Sequence, residues 1–167
     1  MSKIDNPTRK GRIISMKIER RPADCGDISY LGKYSSEPGP FDRTIDRQTV
    51  GYVQPGKCRY FIAVMSASES GNPESVRQDY ERAEAYCRDE WSMVGVIASA
   101  QICLPGSDIV QRITSGGLWG IESDSGEDYF AETEKAQLEE LEEELFRLGF
   151  TARQIEHAET CLRNVGR

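Results

Sequence analysis

Residues 113–129 of this chain read ITSGGLWGIESDSGEDY, and the rest of the sequence is organised around them. The Gly116 and Gly117 pair interrupts a strand-like pattern, and glycine inside a strand marks a bulge or bend. Acidic residues follow, which favour the first turn of a helix. The stretch therefore predicts a bulge, a short strand over 118–122, and a helix whose N-cap is Ser125.

The segments on either side of this centre extend the same pattern. Residues 93–103 alternate between apolar and small side chains, which predicts a strand, and a tight connection then lets 108–114 pair back as a hairpin arm. After the centre, Glu134 alone interrupts an apolar stripe of helical spacing, and Gly149 is the expected left-handed cap. The apolar stripe consists of Phe130, Leu138, Leu141, Leu145 and Leu148. A last helix beginning at Thr151 closes a helical hairpin.

The earlier part of the chain adds strands and one further helix. Strands are predicted over 11–19, where Ile14, Met16 and Ile18 form the apolar face, and over 28–34 and 59–65. A long surface loop over 35–57 separates the last two. After a loop over 66–71, a helix is predicted to begin with Asn72 as its N-cap and to run to about Glu90, with Trp91 ending it as a core anchor. We therefore expect an α+β fold, with an antiparallel sheet of about five strands packed against one central helix and a C-terminal helical hairpin. Residues 1–10 are predicted to be a flexible basic lead-in and residues 11–167 a single domain.

Composition restricts the classes of function. With 38% hydrophobic and 29% charged residues, the chain has the balance of a soluble globular protein, and no apolar run is long enough to span a bilayer. Its five cysteines form no Cys-x-x-Cys pair, which favours reduced thiols and a cytoplasmic location. The formal charge of -7 argues against direct binding to nucleic acid.

Few residues point to enzymatic chemistry. His157 is the only histidine, which excludes most histidine-dependent triads and zinc sites. The chain has neither a nucleophile elbow nor a phosphate-binding loop, and no cofactor or catalytic residue is predicted. Asp124, Glu127 and Asp128 are weak candidates for a divalent metal site, because their spacing is not that of a calcium-binding loop and helix capping explains Ser125 and Asp128 without a metal.

The long helix carries an unusual run of carboxylates. Such a run is commonly the solvent face of an amphipathic helix, but five carboxylates in six positions repel one another, which leaves a positively charged partner as the sharper hypothesis. The predicted partner-binding residues are Trp119, Glu122, Asp124, Glu139, Glu140, Glu142, Glu143 and Glu144.

Four segments resemble a family of small proteins found in bacteria, phages and plasmids. They are YLGKY at 30–34, DYER at 79–82, EAY at 84–86 and above all ITSGGLWGIESDS at 113–125. The occurrence of that family on mobile elements implies an accessory role such as host takeover or counter-defence. No specific activity follows from the resemblance.

Three hypotheses of function follow. The first is a non-enzymatic binding protein of a phage or mobile element that inhibits or modulates a host protein through an acidic surface. A nucleic-acid-binding defence protein is one candidate partner, as in anti-CRISPR-like inhibition, with no direct nucleic-acid or membrane binding. The second is a small metal-dependent hydrolase or nuclease-like enzyme that uses the acidic turn around Asp124. The third is a self-associating scaffold, such as a homodimer, with the aromatic residues of 30–41 at its interface.

Overall fold

Two antiparallel sheets and four helices account for the part of the chain described by the computed structural model, which is residues 10–24, 26–51 and 57–165. In chain order the elements are β1 (Arg12–Pro22), β2 (Gly32–Ser35), β3 (Thr44–Asp46), β4 (Tyr60–Ala63), α1 (Ala67–Ser70), α2 (Ser75–Cys87), β5 (Met93–Cys103), β6 (Val110–Thr114), β7 (Leu118–Glu122), α3 (Glu127–Arg147) and α4 (Ala152–Val165). A short 3-10 helix occupies Phe41–Arg43.

The predicted α+β class, its antiparallel pairing and its C-terminal helical pair are confirmed. The strands are divided between sheets of four and three, whereas one sheet of about five was predicted. The chain divides into two compact units: the first comprises Met1–Ala23 and Met93–Arg167, and the second comprises Asp24–Ser92. The single domain predicted over 11–167 stays a prediction. The basic lead-in falls almost wholly outside the described residues, as does Cys25.

Strand β5 is the centre of the first unit. It pairs with β1 along one edge, while β6 and β7 pair in turn with the two halves of its other edge. Ala98, Ala100 and Ile102 are almost fully buried on one face, which confirms the alternation predicted for 93–103. This face packs against the helical pair, and its core consists of Met16, Ala98, Ala100, Ile102, Leu141, Leu145, Phe150, Ile155 and Ala158.

The turn between α3 and α4 forms as the sequence predicts. Gly149 has a φ of 90°, and the backbone N–H of Phe150 donates to the carbonyl of Leu145, so the buried Phe150 ring folds back on the helix end. Thr151 and Gln154 form a capping box at the start of α4. Leu148, predicted to be buried, is 41% exposed because it follows the last buried turn of α3.

Two further local predictions in this unit are wrong. A bulge between Ile13 and Ser15 shifts the register of β1, so Ile13 packs on the core and Ile14, predicted to face inward, is 46% exposed. The N-cap of α3 is Gly126, not Ser125, and it makes no side-chain capping hydrogen bond.

The second unit packs α2 against the three-stranded sheet β2-β4-β3. Its helix begins at Ser75, later than predicted, because Asn72 accepts a hydrogen bond from the N–H of Glu74 in a turn that precedes the helix. Helix α1 lies in a segment predicted to be a loop. Trp91 is 3% exposed and donates to the carbonyl of Arg82, which confirms its prediction as a core anchor.

Candidate functional site

A groove of about 440 Å³ opens between α3 and α4 in the first unit. Carboxylates rim an apolar floor, and the lining consists of Glu139, Glu142, Glu143, Phe146, Ala152, Ile155, Glu156 and Glu159. Phe146, in the middle of these charges, is 59% exposed. The groove therefore combines an exposed apolar surface with a high density of negative charge.

Helix periodicity explains why these residues meet. The four that α3 contributes are spaced i, i+3, i+4 and i+7, as are the four that α4 contributes. Residues at these spacings lie on one face of a helix. The turn at Gly149 reverses the chain between α3 and α4. The two helix faces therefore line the same groove.

Two carboxylates on the α3 wall pair with neighbouring cations on the same helix. Lys135 lies 3.7 Å from Glu139, and Arg147 lies 3.4 Å from Glu143, both at i to i+4 spacing. All four side chains are more than 60% exposed. Exposed ion pairs of this kind contribute little to the free energy of folding. Cations of a partner can therefore replace Lys135 and Arg147 beside the carboxylates at a small cost in free energy.

The structure divides the predicted partner-binding residues among separate places. Glu139, Glu142 and Glu143 line the groove. Glu140 instead accepts a hydrogen bond from the backbone N–H of Gly116 at 2.8 Å, and Glu144 pairs with Arg147. The carboxylates predicted to form one surface therefore have three different environments, and only Glu139, Glu142 and Glu143 face the groove.

The other three predicted residues lie on β7 and the turn after it. Trp119 is 48% exposed and its indole lies against Gly95 in the neighbouring strand. Glu122 ends β7, and Asp124 lies in the turn before α3. The groove residues that sequence reasoning missed, Glu156 and Glu159, could have been found from the matched i, i+3, i+4, i+7 spacing on the last helix.

The glycine-rich segment is clamped by α3. The side-chain oxygen Oε1 of Gln137 accepts from the hydroxyl of Ser115 at 2.7 Å and from the backbone N–H of Gly117 at 2.9 Å. Gly117 has a φ of 76°, which suits the bulge predicted at this point. Because the backbone N–H groups of Gly116 and Gly117 already have partners on α3, they do not form an open anion site.

Of the candidate metal ligands, Glu127 already forms an ion pair. Arg20 pairs with Glu127 at 2.9 Å and with Glu134 at 2.7 Å, and its guanidinium stacks over the Phe130 ring. The Arg20 hydrogen bond lowers the pKa of Glu127. Asp128 belongs to the first turn of α3. Across residues 10–24, 26–51 and 57–165, no three side chains of His, Cys, Asp or Glu are grouped so that they could hold a metal ion.

A second cavity, of about 450 Å³, lies in the second unit beside a buried ion pair. Its lining consists of Ile45, Val50, Gly51, Arg77, Tyr80, Glu81, Glu84 and Arg88. Arg47 is 5% exposed and donates to Glu84 at 2.7 Å, and the Tyr34 hydroxyl donates to the same carboxylate oxygen. Burial raises the pKa of Tyr34. These contacts join β2, β3 and α2, which gives the network a structural role.

The chain matches no protein-family model, and no curated protein or solved structure is significantly similar to it. The resemblance of residues 113–125 to proteins of mobile elements thus stays a prediction. None of the described helices has the length and apolar character needed to cross a membrane.

Proposed function

We propose that this protein is a non-enzymatic binding protein whose acidic groove receives a positively charged segment of a host protein. The observation that carries the proposal is the arrangement of five carboxylates around the exposed Phe146 between α3 and α4. An apolar floor supplies burial and the rim supplies charge complementarity, which together select amphipathic cationic segments.

The geometry favours a helical occupant. Helices α3 and α4 enclose a groove whose lining includes the apolar residues Phe146, Ala152 and Ile155, and an amphipathic helix binds grooves of this kind through side chains spaced along one face. Lysine or arginine beside that face would meet Glu139 and Glu143 on one wall and Glu156 and Glu159 on the other. The carboxylates would then set orientation and association rate, while Phe146 would supply the apolar contact.

The host protein is proposed to be one that itself binds nucleic acid. Proteins of that class carry clustered lysine and arginine residues, the complement of this groove. The resemblance of 113–125 to proteins of phages and plasmids supports a host target, including a defence protein. Occupation of its basic surface would then compete with nucleic acid.

Affinity capture with matched variants tests this proposal. The tagged protein, the groove variant E139Q/E156Q/E159Q and the control variant E37Q/E74Q/E132Q are each incubated with bacterial lysate at low and high salt. Both variants lose three carboxylates, and those of the control lie outside the groove. Exposed glutamine is tolerated in helices almost as well as glutamate, so both variants should fold.

We expect a stoichiometric partner that the parent protein and the control capture and the groove variant does not. Its capture should fall at high salt, since screening weakens exposed charge pairs. A partner retained equally by all three proteins would contradict binding through the groove.

A further inference from the structure

The sheet of the first unit has a second face, which does not contact the helical pair. Because Ala98, Ala100 and Ile102 face the core, the alternate residues of β5 lie on the opposite face. These alternate residues are Gly95, Ile97, Ser99, Gln101 and Cys103. We call this surface the outer sheet face.

Basic residues from the neighbouring strands are concentrated on the outer sheet face. On β1, Arg12, Lys17 and Arg21 stand opposite Cys103, Ser99 and Gly95, and on β6, Arg112 stands opposite Gln101. Lys10 lines a depression at the Cys103 end together with Arg12, Ser107 and Asp108.

Three carboxylates also lie on this face, and the cations beside them remain accessible to solvent. Glu19 lies between Arg21 and Arg112 and accepts from both, at 2.6 Å and 3.0 Å. Asp108 borders the Cys103 end, and Glu122 stands opposite Met93 at the other end. Arg21 and Arg112 keep 39% and 49% of their side chains exposed. Five cations against three carboxylates make a basic surface in a chain whose net charge is -7.

Trp119 adds an aromatic platform at one end of the outer sheet face. A side chain at Gly95 would collide with the six-membered ring of the indole, so the ring lies directly over the backbone of β5. Trp119 is nevertheless 48% exposed. The ring therefore rests on the β5 backbone at Gly95, its Nε1 lies close to Gly117, and about half of the side chain is open to solvent. Arg21 stands on the opposite side of Gly95, across β5.

We propose that the outer sheet face binds single-stranded nucleic acid, with a base stacked on Trp119 and phosphates paired with Arg21, Arg112 and Lys17. Positive charge along a strand combined with an exposed aromatic ring is the arrangement that recognises single strands without reading their sequence. From Gly95 to Cys103 the face extends over about 26 Å, enough for several nucleotides.

A flat, exposed indole favours nucleic acid over an acidic polypeptide. Every base has a π-face that can stack on the ring, whereas a glutamate or aspartate side chain has none. The total charge of the chain predicted no direct nucleic-acid binding, but that total adds the acidic groove and the basic sheet face, which lie on different surfaces of the first unit. This second binding activity does not depend on the groove.

Binding of a fluorescein-labelled oligothymidylate, measured by anisotropy and by tryptophan fluorescence, tests the proposal. Trp91 is 3% exposed, so quenching by the bound strand reports on Trp119. We expect micromolar or weaker binding that decreases with salt, with quenching of the tryptophan signal. Trp119→Ala should weaken binding by about tenfold or more, the usual effect of losing one stacked base.

Charge variants keep the test independent of the folding of Trp119→Ala. K17Q/R112Q removes two exposed cations of the outer sheet face and should reduce the slope of log affinity against log salt by roughly one. K135Q/R153Q removes two exposed cations from the helices and should leave affinity within about twofold, because neither residue faces the bound strand. The groove variant E139Q/E156Q/E159Q should bind the strand at least as tightly as the parent.

Three results would overturn the proposal. One is no binding by the parent protein at low salt. Another is binding that neither Trp119→Ala nor K17Q/R112Q weakens, and the third is equal binding and equal quenching by polyglutamate, which would assign the face to acidic polypeptides.

Discussion

The side-chain oxygen Oε1 of Gln137 lies 2.9 Å from the backbone nitrogen of Gly117 and accepts its hydrogen bond. The same oxygen accepts from the hydroxyl of Ser115, which in turn accepts from the N–H of Ala98 in β5. A residue in the middle of the long helix thus holds the bulge that joins β6 to β7. These hydrogen bonds join the glycine-rich segment and α3 into one structural element.

Replacing Gln137 should destabilise the protein. Gln137→Leu leaves the Ser115 hydroxyl and the Gly117 N–H without their acceptor in a largely buried place, and we expect a loss of about 2 kcal/mol. Urea unfolding measures this loss. Gln111→Leu, an exposed substitution on β6, is the control and should change stability by less than about 0.5 kcal/mol. Equal effects of the two substitutions would refute the clamp.

A side chain at position 95 should displace the indole of Trp119. Gly95→Ala places a methyl group within the volume of the ring, and overpacking of this kind costs about 1–3 kcal/mol. Tryptophan fluorescence should shift to longer wavelength as the ring moves into water. The control is the same substitution in a Trp119→Ala background, where it should cost almost nothing. A cost that is the same in both backgrounds would show that Trp119 does not cover Gly95.

The buried ion pair of the second unit should be sensitive to truncation. Glu84→Ala removes the carboxylate that pairs with the guanidinium of Arg47, which is 5% exposed, and we expect a loss of about 3–5 kcal/mol. Glu81→Ala, on the same helix, breaks an exposed pair with Arg77 and should cost about 0.5 kcal/mol or less. Comparable losses in urea unfolding would contradict the structural role assigned to this network.

The pair between Arg20 and Glu127 makes stability depend on pH. The guanidinium lowers the pKa of Glu127 below its ordinary value of 4.5, so this carboxylate stabilises the fold above pH 4.5. That contribution disappears as the pH falls through the lowered pKa. Glu127→Gln should therefore reduce the thermal midpoint at pH 7 and reduce it less at pH 3.

Glu132→Gln is the control for that comparison, because it removes an exposed carboxylate from the same helix without touching Arg20. It should have the smaller effect at pH 7. A Glu127→Gln effect that does not change between pH 7 and pH 3 would exclude the ion pair as its cause.

Periodicity in the sequence predicts much of the first unit. The alternation over 93–103 identifies the central strand, and Gly149 with Thr151 identifies the turn of the helical pair, because these signals depend on the local chain alone. Ile14 fails because a bulge changes which side chain faces the core, and a bulge needs a partner strand to define it. The division into two sheets also depends on pairing between distant segments.

The acidic site is predictable only in part. The run over 139–144 is visible in the sequence. In the folded chain, however, Glu140 accepts a hydrogen bond from the N–H of Gly116 and Glu144 forms an ion pair with Arg147. Glu156 and Glu159 become part of a groove only when the turn at Gly149 brings the two helices together. The positive charge of the outer sheet face cannot be predicted from the sequence, because its cations come from separate strands.

The most direct test of the acidic groove is the affinity of a synthetic amphipathic helix with lysines flanking one leucine face, measured by fluorescence anisotropy. We expect E139Q/E156Q/E159Q and Phe146→Ala each to weaken binding by about tenfold or more, a scrambled peptide to bind weakly, and E37Q/E74Q/E132Q to bind like the parent. Equal affinity of the parent and E139Q/E156Q/E159Q for this peptide at low salt would contradict binding through the groove.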